Sequence, residues 1–138
     1  MVRRGLALVL SAIVFFYLTG FATAGQGNWA RVADGIGKAL HTAQRSYDEG
    51  RANEAMEAVS DAYFGLFEGT DANMEIAVRR FLSLRKAATL EKGFSDIRKA
   101  MSSKARADDV RRLTMELARA LKETALRLDE KGVKFDLE

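Results

Sequence analysis

The chain lacks cysteine and proline altogether, and its 138 residues include only one histidine and one tryptophan. Without cysteine, thiolate metal sites, cysteine nucleophiles, redox motifs and disulfides are excluded. The fold must therefore be held by apolar packing alone, and a chain of this length is long enough to bury a core. Since there is no proline to interrupt them, long helices are favoured by the abundant alanine, leucine, arginine, lysine and glutamate.

Residues 1–24 have the layout of a secretory signal peptide. Two arginines precede an apolar run over residues 6–18, and the small residues at 22–24 form a cleavage site. We therefore expect export to the periplasm and a mature helical domain at 25–138. Because residues 5–25 carry no charge, an uncleaved segment anchored in the inner membrane is the alternative.

Charge is distributed unevenly along the chain. Without the two arginines of the signal, the net charge falls from +3 to +1, so neither charge nor export favours nucleic acid as a partner. Residues 25–78 sum to −5, residues 79–112 to +7 and residues 113–138 to −1. This pattern fits an acidic half packed beside a basic helix. It also fits a basic face directed toward an anionic membrane surface or an acidic partner.

Apolar residues recur at spacings of three and four throughout the mature chain, which predicts amphipathic helices and no strand. The predicted helices cover residues 29–47, 52–67, about 71–101 and 110–128, with Gly50, Gly69 and Gly132 ending the first, second and fourth. Four amphipathic helices with short connections predict an antiparallel up-down four-helix bundle.

The predicted third helix is unusually long. With Thr70 or Asp71 as its N-terminal cap and an end near Met101, it would extend for about 45 Å at 1.5 Å per residue. We therefore expect a bend or break between Lys86 and Gly93.

Few polar residues are placed for catalysis. The lone His41 lies beside the apolar stripe of the first helix, where a histidine is usually structural or solvated. The paired Glu-x-x-His elements of a di-iron bundle are missing, no serine has a nearby histidine, and "GIGKAL" is too short for a phosphate loop. The sequence therefore predicts no enzyme activity.

Two carboxylates stand out by position. Glu68 ends the aromatic stretch "AYFGLFE", and Glu91 falls seven residues after Leu84, on the apolar stripe of the third helix. Acids near a packed face cost free energy unless they are paired or bind a cation. Ion pairs with arginines such as Arg85 or Arg98, or exposure at helix ends, give one interpretation. A hard-metal site made of oxygen ligands gives the other.

Glu75 is the third candidate metal ligand. Glu68 and Glu75 flank the turn at Gly69, whereas Glu75 and Glu91 would lie about 24 Å apart on one straight helix. A metal site made of Glu68, Glu75 and Glu91 therefore requires the third helix to fold back on itself. Without that fold, Glu91 belongs to a separate site or to a structural ion pair.

Three fragments between Tyr47 and Met101 carry a recognisable pattern: "YDEGRANEAMEAVSDAYFGLFEG", "MEIAV" and "LEKGFSDIRKAM". Their order and spacing resemble the extracytoplasmic N-terminal region of bacterial high-affinity, oxidase-dependent (Ftr-type) iron permeases. The resemblance implies a periplasmic accessory domain that receives, holds or passes iron to a membrane permease or another uptake component. The chain has neither the Arg-Glu-Gly-Leu-Glu motif of the permease helices nor a hydrophobic span after the signal, so we expect no transport by this polypeptide alone.

Three functions follow as hypotheses. The first is a periplasmic module that binds or relays iron. The second is a structural docking domain without a metal site, which recruits an uptake component through its basic third helix. The third is an exported helical adaptor with no link to iron.

Overall fold

Strong helix formers dominate the chain, and the computed structural model, which describes residues 27–135, contains helices and no strand in that range. The α-helices are α1 (Asn28–Asp48), α2 (Ala52–Asp61), α3 (Met74–Phe81), α4 (Leu84–Ser102) and α5 (Ala107–Glu130). A π-helical segment, Ala62–Phe67, continues α2 without a break. The predicted all-α class is confirmed, while the predicted signal peptide lies outside the described residues.

The core forms where the apolar stripes of the helices meet. Helix α1 packs against α2 and α5, and α4 packs against α2, α3 and α5. The largest side chains with almost no exposure include Trp29, Ile36, Leu40, Phe67, Leu90, Ile97, Leu121 and Leu128. Each of these contributes about 1.5–3 kcal/mol of burial free energy. Most of the apolar residues that recur every three or four positions in the first and last predicted helices lie within this core.

The two ends of the described chain are joined by a long-range cap. The backbone N–H groups of Trp29 and Ala30 donate to the two carboxylate oxygens of Asp129, at 3.0 and 2.9 Å. The indole Nε1 of Trp29 donates to the carbonyl of Val133 at 2.7 Å. A Cβ atom at Gly27 would collide with the Asp129 carboxylate, so a larger residue here would displace Asp129 from this cap. Helix α1 is thus capped by a residue near the C-terminal end of α5.

The predicted third helix is in fact two helices. Helix α3 ends at Phe81, and Ser83 adopts an extended conformation (φ −169°, ψ 152°) before α4 begins. The Ser83 side chain accepts a hydrogen bond from the Lys86 N–H at 3.0 Å and so caps α4. The break therefore precedes the predicted interval at 86–93, and it is a complete interruption that lets α3 pack against α4.

The cap predicted for the start of this region was also wrong. The residue that caps α3 is Asn73, whose side-chain oxygen accepts a hydrogen bond from Ile76 N–H at 2.9 Å. Thr70 and Asp71 lie in the preceding loop.

The interruption changes which side chains of α3 and α4 face the core. Phe81 is 41% exposed and Leu84 is 61% exposed, although a continuous helix would have placed both on the inner face. Helix α4 begins a new stripe that buries Ala87, Leu90, Phe94, Ile97 and Met101. Glu91 is therefore partly buried at the edge of this stripe and does not occupy a core position.

None of the helices described between residues 27 and 135 is both long enough and apolar enough to cross a bilayer.

Candidate functional site

The π segment positions the first two side chains of the site. The backbone N–H of Glu68 donates to the carbonyl of Tyr63, five residues earlier, at 2.9 Å. A Cβ atom at Gly69 would lie 2.5 Å from the carbonyl oxygen of Gly65, so the close approach of the chain after this wide turn requires glycine. Single-turn π segments are uncommon and occur often at functional sites. Here the segment brings the Tyr63 hydroxyl to the Glu68 carboxylate.

Aromatic packing fixes the tyrosine ring. The Tyr63 ring centroid lies 5.8 Å from that of Phe67 and 5.2 Å from that of Phe94 on α4. Phe67 and Phe94 are buried, Tyr63 is partly buried against the core, and Phe64 is exposed. Two of the three aromatics in this stretch therefore contribute to the core.

The three predicted acids act on this one hydroxyl. The pKa of Tyr63 is raised above its ordinary value, first by burial, then by its hydrogen bond to Glu68 and by the negative charges of Glu68, Glu91 and Glu75. The phenol is therefore protonated at neutral pH and is available as a hydrogen-bond donor to a carboxylate.

Glu75 is the most buried of the acids. It is the second residue of α3 and is only 7% exposed. Its Oε1 atom forms an ion pair with Arg79 Nη2, one turn along the same helix, and makes no regular hydrogen bond within the part of the chain that the structure describes. Arg79 therefore supplies the charge compensation that this buried carboxylate needs.

Arg79 joins the two helices through the acids. The same Nη2 atom lies 3.2 Å from Glu91 Oε1 on α4. Glu91 therefore pairs with an arginine, as one of the two interpretations expected, and the partner is Arg79 rather than Arg85 or Arg98. The pKa of the Arg79 guanidinium is raised, mainly by its close contact with the Glu75 carboxylate.

The interruption between α3 and α4 supplies the fold-back that a three-acid site requires. One guanidinium contacts Glu75 and Glu91 together, and Tyr63 interacts with Glu68 directly and with the other two acids through their charge. The structure thus joins Glu75 and Glu91 through Arg79, and the charges of Glu68, Glu75 and Glu91, here called the acidic cluster, all act on Tyr63. With the side chains in this arrangement, no group of three or more histidine, aspartate or glutamate residues in the range 27–135 is placed to hold a metal ion.

A pocket of about 190 Å³ opens beside this cluster. It is lined by Ser60, Tyr63, Phe64, Glu91, Phe94, Ser95 and Arg98. A wider groove of about 560 Å³ lies between α1 and the loop before α3, but few ionisable groups line it. The smaller pocket is lined by Tyr63 and Glu91, and it is therefore the better candidate for an entrance to the site.

Sequence reasoning missed three residues of the site. Arg79 lies four residues after Glu75, a spacing that predicts an ion pair on a helix. Tyr63 lies five residues before Glu68, and only a π segment places that pair together. Asn73 caps α3, and its Nδ2 donates to the Glu68 carbonyl at 3.4 Å, so it connects the two acidic elements.

The lone histidine is not part of this cluster. His41 is exposed on α1, as expected for a solvated side chain.

Comparisons of the chain with protein-family models, with curated proteins and with solved structures found no match. The resemblance to iron permeases therefore stays an expectation that rests on the sequence fragments.

Proposed function

We propose that this protein is a cation-binding module that holds or relays iron through Glu68, Glu75 and Glu91. The observation that carries the proposal is that one nitrogen of Arg79 contacts the carboxylates of Glu75 and Glu91 from two helices, with Glu75 almost fully buried. Three like charges in one partly buried cluster repel each other, and a bound cation relieves that repulsion.

The donor set determines the class of cation. Carboxylate and phenol oxygens are hard ligands, and the protein has no thiolate to bind soft metals. A hard divalent or trivalent cation fits this chemistry. Iron is the cation that the family resemblance implies, and it would be cargo rather than a resident cofactor.

The module would work in the periplasm and deliver its cation to a membrane permease or another uptake component. The signal-like residues 1–24 and the resemblance over residues 47–101 support this placement. We also infer an up-down bundle in which the α3–α4 pair takes the third position. The contacts of α1 with α2 and α5, and of α4 with the same two helices, support this arrangement.

Calorimetric titration of the protein tests the proposal. Ferrous ion under anaerobic conditions, ferric citrate and Mn²⁺ serve as probes. We expect dissociation constants on the order of 0.1–1 mM, the range of oxygen-ligand sites in extracellular modules. Glu68→Gln, Glu75→Gln and Glu91→Gln should each weaken binding at least about tenfold, a loss of about 1.4 kcal/mol.

A matched control separates the site from general charge. Glu116 on α5 forms an exposed ion pair with Arg112 one turn away, so Glu116→Gln removes a similar charge outside the cluster. This variant should bind like the wild type, and all variants should keep their helical circular dichroism. Equal binding by the wild type and the three cluster variants would leave the acids as structural.

A docking domain without a metal site is the second candidate function. Several large apolar side chains are exposed, including Phe64, Leu84 and Met115, and Arg79 already compensates two of the acids. Basic residues concentrated between positions 79 and 112 would favour an acidic partner or an anionic membrane surface. Failure of all cation titrations would make docking the leading function.

A further inference from the structure

We propose that Arg79 is an internal competitor of the cation, and that its guanidinium occupies the space between Glu75 and Glu91 until a cation displaces it. This inference rests on the proposed function and specifies how the same site is regulated. It also explains why acids that converge in the fold are not arranged around a metal position in the structure.

The first support for this competitor role is the position of one nitrogen atom of Arg79. Nη2 of Arg79 contacts Oε1 of Glu75 and Oε1 of Glu91 at the same time. A positive atom that contacts carboxylate oxygens from two helices lies where a bridging cation would lie. Arg79 therefore provides the charge that a bound metal would provide in the same place.

The difference in exposure between the partners is the second support. The side chain of Glu75 is 9% exposed and that of Glu91 is 31% exposed, whereas that of Arg79 is 51% exposed. Half of the arginine side chain already faces solvent, so it has room to rotate outward, while Glu75 is held by its packing. Because Glu75 is buried, an incoming cation has to replace the charge compensation that Arg79 gives it, and the exposed guanidinium can then move into solvent.

The charge balance is the third support. Glu68, Glu75 and Glu91 carry three negative charges, and the bridging guanidinium supplies one positive charge. A divalent cation in the same place compensates the acids better than the arginine does. The pairing thus lowers the repulsion among the acids without abolishing their attraction for a cation.

Removal of the competitor tests the inference. Terbium(III) is a suitable probe because it prefers oxygen ligands, and its luminescence is sensitised by a nearby tyrosine such as Tyr63. We expect Arg79→Gln to bind terbium about fivefold more tightly than the wild type, which corresponds to about 1 kcal/mol. Arg112→Gln removes the basic member of the exposed Arg112–Glu116 pair and should leave the affinity unchanged.

The outcomes separate this inference from the proposed function. Binding by the wild type with equal or weaker binding by Arg79→Gln would overturn the competitor role and leave the cation site standing. Absence of binding in both proteins would overturn the proposed function together with the inference. Binding by Arg79→Gln alone would support a stronger competition than we expect.

A second measurement uses the wild-type protein and does not depend on the folding of a variant. Phenylglyoxal modifies accessible arginines, and peptide mass spectrometry reports the rate at each position. Terbium should accelerate modification of Arg79 and leave the rate at Arg112 unchanged. An unchanged or slower rate at Arg79 would contradict displacement of the guanidinium.

Discussion

At the scale of single residues, Tyr63 connects the core of the protein to its acidic cluster. Its ring packs against those of Phe67 and Phe94, and its hydroxyl interacts with Glu68. The ring therefore stabilises the fold through packing, while the hydroxyl remains a protonated donor beside the acids. This dual role explains why the tyrosine is only partly buried.

The raised pKa of Tyr63 predicts how stability depends on pH. The folded-state pKa lies above the ordinary value of 10.0, so the stabilisation is fully present below pH 10. As the pH rises above 10, the unfolded phenol ionises while the folded one stays protonated, and the free energy of unfolding falls. Urea denaturation between pH 9 and about pH 11 should show a steeper decline for the wild type than for Tyr63→Phe.

Tyr63→Phe keeps the ring packing and removes only the hydroxyl, so the difference between the two slopes isolates the titration. Parallel stability curves for the two proteins would show that the hydroxyl does not have the environment described here.

At the scale of helices, the interruption at Leu82 and Ser83 is the feature that creates the site. A continuous helix from α3 to α4 would separate Glu75 from Glu91 by about 24 Å. Ser83 caps the start of α4, so the apolar face of α4 is oriented independently of that of α3. Helix α3 then packs against α4. Leu82 and Ser83 lie outside both helices, and the helical free energy lost there is offset by the packing of α3 on α4 and by the ion pairs of Arg79.

Ser83→Ala should therefore destabilise the protein. The substitution leaves the Lys86 N–H without its side-chain acceptor, and loss of an N-cap costs about 1 kcal/mol. Urea denaturation followed by circular dichroism measures this cost. Ser103→Ala is the matched control, because Ser103 follows the last turn of the same helix and its hydroxyl only donates to the Ala100 carbonyl.

The control should lose less than half of the stability lost by Ser83→Ala. Equal losses in the two variants would mean that the cap at the interruption has no special role in stability.

At the scale of the whole molecule, Asp129 joins the start of α1 to the end of α5. The residues it connects are 100 positions apart in the sequence, so the contact forms only when α1 and α5 are packed together. The buried Trp29, beside this cap, lies with its ring centroid 4.8 Å from that of Phe135 in an edge-on arrangement. The first and last described turns therefore stabilise each other.

Asp129→Ala should cost about 2 kcal/mol, because two backbone donors lose a charged acceptor. Trp29, the single tryptophan of the chain, reports the unfolding transition by its fluorescence. Glu130→Ala, at the exposed neighbouring position, should change the free energy of unfolding by less than about 0.5 kcal/mol. A loss for Asp129→Ala as small as that of the control would contradict the capping role.

The pattern of residues determined the helical class and the inner faces of α1 and α5 because each stripe depends on local helix geometry. Trp29, Ile36 and Leu40 recur every three or four residues, and the backbone brings such residues onto one face wherever a helix forms. The pattern also singled out Glu68, Glu75 and Glu91, since acids close to aromatic and apolar stretches are unusual.

Only the tertiary structure decided how those acids meet. The π turn that pairs Tyr63 with Glu68, and the interruption that lets Arg79 reach Glu91, are each a compromise between an ideal helix and long-range packing. Local helix propensity favours a regular α-helix at both places, so the residue spacing predicts one. Burial of Phe67 and Phe94 and the packing of α3 on α4 come from distant parts of the chain, and their free energy outweighs the local preference.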